Sequence, residues 1–202
     1  MSASIWNETF RLALASGSAT RRRLLEAAGL PFEVVAADVD ERGLEASMPD
    51  AAPGELALAL ARAKALSAKA PGALVIGADQ VLSLDGRLFH KSATREAALN
   101  TLSALSGRTH RLTSAFAIAR DGEILASGAE AAEMTMRALD EPALALYLDA
   151  AGPGVLGSVG VYQWEGLGAH LFERVEGEHS TILGLPVLKL LAALRGLDAL
   201  RL

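Results

Sequence analysis

The hexapeptide Ser16-Gly17-Ser18-Ala19-Thr20-Arg21 puts two hydroxyls, a run of small residues and a guanidinium into one short stretch. Small residues let the backbone approach a ligand, and a helix starting directly after them turns its free N–H groups and positive dipole end toward an anion. Ser16 and Ser18 supply hydroxyl donors, and Arg21 supplies a planar fork that matches phosphate oxygens. The same residues also read as a capped helix with solvated arginines. A second element is Val75-Ile76-Gly77-Ala78-Asp79-Gln80, in which an apolar strand is expected to deliver the carboxylate of Asp79 at its C-terminal end. Ligands of open α/β sheets gather at such ends. A carboxylate placed there can hold Mg²⁺ or orient a water, as cleavage of a phosphoanhydride requires.

Lys64 lies in an otherwise apolar Ala/Leu segment, and Lys91 follows an expected hairpin. Either can reach a polyphosphate as a point charge, although a lone lysine is more often a solvated one. Asp38, Asp40 and Glu41 follow an expected strand and offer carboxylates to a metal, or simply a solvated loop. The competing chemistries lack their residues. There is no cysteine, no G-x-x-x-x-G-K-[ST] loop, no G-x-G-x-x-G fingerprint and no G-x-S-x-G elbow. His90, His110, His170 and His179 form no i, i+4 pair of the zinc type. With 24 acids against 19 Lys and Arg and a net charge of −5, a general nucleic-acid or membrane-surface binder is disfavoured, so any anion site is local.

The elements that must position these residues follow from the pattern of apolar runs. Across 202 residues, 51% of them apolar, short strands alternate with Ala/Leu-rich helices without repeat or linker, which predicts one α/β unit over residues 1–202. Strands are expected at 12–15, 32–37, 74–78, 112–119, 123–136 and 171–175. A hairpin is expected over 81–89 around Asp85-Gly86, and a second around Asp121-Gly122, because Asp-Gly accepts positive φ. Helices are expected at 20–28, closed by Gly29, and at 53–69, 94–105, 140–148 and 186–200. Residues 152–168 read as irregular. No stretch approaches a membrane span and the N-terminus has no leader pattern, so a cytoplasmic protein is expected.

Taken in order, these segments resemble the Maf family of nucleotide pyrophosphatases, within the inosine-triphosphatase-like superfamily, over nearly the whole chain. The resemblance rests on Leu14-Ala15-Ser16-Gly17-Ser18 with Arg21, Pro31-Phe32-Glu33, Asp38-Val39-Asp40-Glu41, Ala63-Lys64-Ala65 and Gly77-Ala78-Asp79-Gln80-Val81. It continues through Leu105-Ser106-Gly107-Arg108-Thr109-His110, Glu165-Gly166-Leu167-Gly168 and Gly184-Leu185-Pro186. It departs at Ala19 and Ser92, where the family has proline. The fold it implies is a mixed, strongly twisted central sheet flanked by helices, with two lobes around a cleft. The activity it implies is hydrolysis of a nucleoside triphosphate to monophosphate and pyrophosphate with Mg²⁺ or Mn²⁺, in a house-cleaning role, by a homodimer.

By that resemblance Asp79 is the catalytic carboxylate, as proton acceptor or metal ligand, with Glu41 a second metal candidate. Ser16, Ser18, Arg21, Lys64 and Lys91 become phosphate contacts. Base choice falls to Thr20, Gln80 and Glu165. Gln80 and Glu165 are similar to the branch acting on 7-methyl-GTP, while the dTTP and UTP branch has Thr and Gln there. Thr20 matches neither, since the methyl-GTP branch carries an aromatic at that position, and Trp164 is either a substitute stacking face or a packed core residue. A non-catalytic role in septum formation is the alternative the resemblance also carries. Retention of Arg21, Lys64, Asp79 and Lys91 together favours the enzyme.

Overall fold

The computed structural model describes residues 4–202. β1 (Leu12–Ala15) leads through Ser16–Ser18 into α1 (Ala19–Ala27), whose first turn is capped by Ser18 Oγ accepting from the Arg21 amide. Gly29 follows at φ 69°, the left-handed conformation that ends a helix without a Cβ penalty. β2 (Glu33–Val34) and α2 (Glu41–Ala46) precede α3 (Pro53–Ser67). β3 (Leu74–Leu84) and β4 (Arg87–Phe89) make a hairpin, followed by α4 (Arg95–Leu105). The long pair β5 (Thr109–Arg120) and β6 (Glu123–Met136) leads to α5 (Glu141–Ala151). After two short 3₁₀ turns come β7 (Phe172–Glu176), α6 (His179–Ile182) and α7 (Val187–Gly196).

The strands form one mixed seven-stranded sheet in the order β2-β1-β3-β5-β6-β7, with β4 hung on β3. β1 runs parallel to β3, whereas β5 is antiparallel to it. The expected class is therefore the observed one. Three expectations need correction. Residues 32–37 pair over Glu33–Val34 alone. Asp40 starts a helix, α2, because its carboxylate accepts from the Gly43 amide and caps the turn. Asp79 does not end a strand: β3 continues through it to Leu84, since its whole length pairs with β5 from Val75↔Ala119 to Ser83↔Arg111.

What does change along β3 is its other edge. β1 pairs with it only to Gly77 and β4 only from Leu82, so residues 78–81 have no strand on that side. The sheet's faces are filled unevenly around this gap. On one face, Leu74, Ile76, Ala78, Phe116 and Ile118 join Trp6, Leu14, Leu25, Leu185, Leu190 and Leu194 in one core. Further along the same face, Leu82, Leu84, Leu112 and Met134 join Leu102, Leu144, Tyr162 and Ile182 in another. Gln80 and Ser114, paired across β3 and β5, are polar and sit between the two cores. The opposite face carries α3 on Val81, Ala115 and Ala117.

Candidate active site

The open edge of β3 is closed by a side chain rather than a strand. Arg21 Nη1 donates to the Ala78 carbonyl at 3.0 Å and to Ser16 Oγ at 3.2 Å, while Nε donates to the Gly184 carbonyl at 2.8 Å. One guanidinium thus ties α1, the serine loop, β3 and the segment after α6, and its Nη2 has no hydrogen-bond partner among the described residues. Gly184 sits at φ 100°, and a Cβ there would meet Arg21 Nε at 3.4 Å. Burial pushes the Arg21 pKa down, opposed by the charges of Asp79 and Glu41. Arginine keeps its proton even so. Ser16 is buried, and its hydroxyl also accepts from the Ser18 amide at 3.3 Å, so both hydroxyls belong to one loop.

Asp79 leaves β3 on the α3 face. Its Oδ1 accepts from Lys64 Nζ at 2.6 Å, and the same ammonium lies 2.7 Å from Glu41 Oε1. The side chains of Lys64 and Asp79 are each 12% exposed and that of Glu41 is 55% exposed. The close approach depends on Gly77, where a Cβ would stand 2.1 Å from the Ala61 carbonyl oxygen and 2.4 Å from the Ala65 amide. Only glycine lets α3 lie this near β3. Burial alone would raise the Glu41 pKa. The hydrogen bond and charge of Lys64, with the charges of Lys91 and Arg21, outweigh it and hold the carboxylate below its usual range. Lys91 is exposed and makes no ion pair among the described residues, but its charge reaches Glu41.

Among the described residues no group of three or more His, Cys, Asp or Glu converges as a metal cage. Asp79 and Glu41 nevertheless share one cation, the Lys64 ammonium, and hard divalent ions such as Mg²⁺ use one or two carboxylates completed by water and substrate phosphate. The donor set fits that mode.

The three residues expected at the base divide. Gln80 points to the other face of β3, where Nε2 donates to Ser114 Oγ, the Thr181 carbonyl and the Ile182 carbonyl, each at 3.0 Å. Carbonyls only accept, so the amide's orientation is set and Oε1 is the atom turned toward Gly184 and Arg21. Thr20 and Arg23 lie three apart on α1, on one helical face. Glu165 stands in the turn after Trp164, and its Oε2 lies 3.2 Å from Arg23 Nη2. That turn requires Gly168, whose Cβ would meet the Gln163 carbonyl oxygen at 2.5 Å. Trp164 packs edge-on against Phe172 with centroids 5.8 Å apart, which favours the packed reading over a free stacking face. Asp40 caps α2, and Asp38 is exposed without an ion pair among the described residues. A groove of about 560 Å³ between the start of α3 and β5–β6 is lined in part by Asp85, Arg111, Glu130 and Glu133. It lacks convergent cations and does not coincide with this site.

Sequence reasoning missed Gly77, Arg23, Ser114 and the carbonyls of Ala78, Gly184 and Thr181. Gly77 carries a signal, as a glycine inside an apolar strand marks close backbone approach. Backbone carbonyls carry none.

Comparison with known proteins bears on the whole arrangement. The family model described as Maf-like protein matches residues 11–197. A protein of Bradyrhizobium diazoefficiens named nucleoside triphosphate pyrophosphatase is 53% identical over 193 residues, 95% of this chain and 96% of that one. One of Mesorhizobium japonicum named 7-methyl-GTP pyrophosphatase is 51% identical over 196 residues, 95% of this chain and 98% of that one. Among solved structures, a nucleoside-triphosphatase (dITP/XTP pyrophosphatase) of Mycobacterium abscessus is similar at 20% identity and a TM-score of 0.37, covering 63% of this chain and 74% of that one. With the family model covering the sheet, the serine loop and both acidic positions, and half of all residues shared with these relatives end to end, the chain belongs to the Maf-like protein family.

Proposed function

We propose that the chain, acting as one unit, hydrolyses a nucleoside triphosphate to the monophosphate and pyrophosphate. The observation that carries this is the Asp79–Lys64–Glu41 bridge beside the strand-free edge of β3 that Arg21 caps, next to the serine loop. The named activities of the Bradyrhizobium and Mesorhizobium relatives support it. Amides of the first turn of α1, with Ser16, Ser18, Arg21, Lys64 and Lys91, bind the polyphosphate. Asp79 Oδ2, free of the Lys64 contact, orients the attacking water and accepts its proton as the water adds to the α-phosphorus and pyrophosphate departs. Asp79 and Glu41 would hold a divalent cation, Mg²⁺ or Mn²⁺, which would supply neutralisation of charge on the phosphate oxygens. Lys91 and Arg21 oppose the same charge from the protein side, so most of the rate enhancement is electrostatic positioning.

For the base, Gln80 presents an acceptor and Glu165 is an acceptor, which suits the donor edge of guanine or its 7-methyl form better than an acceptor-rich edge. Thr20 supplies no stacking ring. Among the described residues no helix is long and apolar enough to cross a membrane, and we take the site of action to be the cytoplasm and the assembly to be a homodimer. The test is pyrophosphate release from dTTP, UTP, CTP, GTP and 7-methyl-GTP with Mg²⁺ or Mn²⁺. Asp79→Asn is expected to lose about a hundredfold or more in kcat, the scale of a general base. Folded protein that releases no pyrophosphate from any of them refutes the reading.

A further inference from the structure

We propose that Lys64 is a two-position switch: it holds Asp79 and Glu41 together while the site is empty, then yields them to the divalent cation and passes its charge to the substrate's phosphate. This rests on the metal-assisted hydrolysis proposed above and adds a role that a fixed phosphate contact does not have.

Three observations carry it. Lys64 Nζ spends two of its three donors on the carboxylates that would ligate the cation, at 2.6 and 2.7 Å. In that position it cannot serve a phosphate fully, and a second cation on the same carboxylates is repelled by it. The backbone beneath it is fixed, because Gly77 packs against the Ala61 carbonyl and the Ala65 amide on either side of Lys64's turn of α3. Movement therefore falls to the side chain, a flexible four-carbon stem. The direction is set by what surrounds the pair. Asp79 belongs to β3 and is buried on its α3 face, whereas Glu41 is the more exposed partner. Rotation of Lys64 away from buried Asp79 carries the ammonium to the more exposed side of the pair, from which a phosphate can approach.

The test measures Mg²⁺ binding without nucleotide by calorimetry in wild type, Lys64→Met and Lys91→Met. Lys64→Met is expected to bind Mg²⁺ about tenfold or more tightly than wild type, because a competitor is gone. Lys91→Met removes an equal charge that touches neither carboxylate and is expected to change affinity by less than about threefold. Equal tightening in both variants, or none in Lys64→Met, overturns the switch. A second measurement follows the wild type directly: with ¹³Cε-labelled lysine, Mg²⁺ is expected to move the Lys64 resonance, and an unmoved resonance at saturating Mg²⁺ overturns the switch. Pyrophosphate release by wild type without these Mg²⁺ effects defeats the switch alone. Absence of release defeats the hydrolase reading, while the Mg²⁺ measurements still decide the switch.

Discussion

Replacing Gly77 by alanine tests whether the spacing between α3 and β3 builds the site. The added Cβ would stand 2.1 Å from the Ala61 carbonyl oxygen and 2.4 Å from the Ala65 amide. An ordinary carbon–oxygen contact is about 3.3 Å, so α3 must withdraw by about 1 Å. Both obstacles are backbone atoms within one helix, which cannot rotate aside as a side chain would. Overpacking of a well-filled core costs about 1–3 kcal/mol, and this rigid case belongs at the upper end, about 3 kcal/mol. The same displacement carries Lys64 away from Asp79, and misplacement by about 1 Å can cost on the order of a hundredfold in rate. Urea unfolding gives the first quantity and pyrophosphate release at saturating nucleotide the second. Gly196→Ala is the control, because its Cβ meets nothing within 4 Å at the end of α7 and alanine is the better helix former. Gly77→Ala with an unfolding midpoint and kcat like those of wild type would show that the helix is not held at this distance by the glycine.

Three further outcomes follow from other contacts. His110 is buried, with Nε2 on the Tyr162 hydroxyl at 2.7 Å and Nδ1 without a partner, and desolvation lowers its pKa to about 4. Its folded pKa lies below the unfolded value near 6.5, so the stability held above pH 6.5 is expected to fall by about 3 kcal/mol as pH drops toward 4. Urea midpoints against pH check this, and His110→Phe is expected to flatten that limb while lowering the plateau, since the Tyr162 hydroxyl loses its partner. Arg21→Lys keeps the charge but cannot span Gly184, Ala78 and Ser16, and is expected to cost about 1–3 kcal/mol in unfolding free energy together with a rise in KM. Glu165→Gln is expected to lower the kcat/KM ratio of 7-methyl-GTP to UTP about tenfold, with stability unchanged within about 0.5 kcal/mol because the Arg23 pair is exposed. A ratio left as in wild type removes Glu165 from base reading.

Much of the scaffold was legible because its signals are local. Asp85-Gly86 and Asp121-Gly122 do take positive φ in hairpin turns, and Ser18 and Asp140 do cap the helices that follow them. The continuity of β3 was not legible, because Asp79-Gln80 breaks its apolar run and the pairing that overrides this break comes from β5. Of the site, residue types were readable but their use was not. Lys64 and Glu41 are joined only through α2, whose helical character hides behind a run of acids. Gln80 reads as a base contact by likeness, yet its amide nitrogen is spent on carbonyls about a hundred residues away. Such partners are backbone atoms and leave no trace in residue identity.

The bridge between Trp6 and Leu200, flanked by bonds from the Asn7 amide to Ala199 and the Arg201 amide to Ile5, has a consequence for synthesis. A ribosome releases the serine loop and Lys64 early, but the core behind β1 needs Leu185, Leu190 and Leu194, and Arg21 needs the Gly184 carbonyl. The core behind β1, and with it the hold on Arg21, therefore forms only once residues 184–200 have joined β1 and α1.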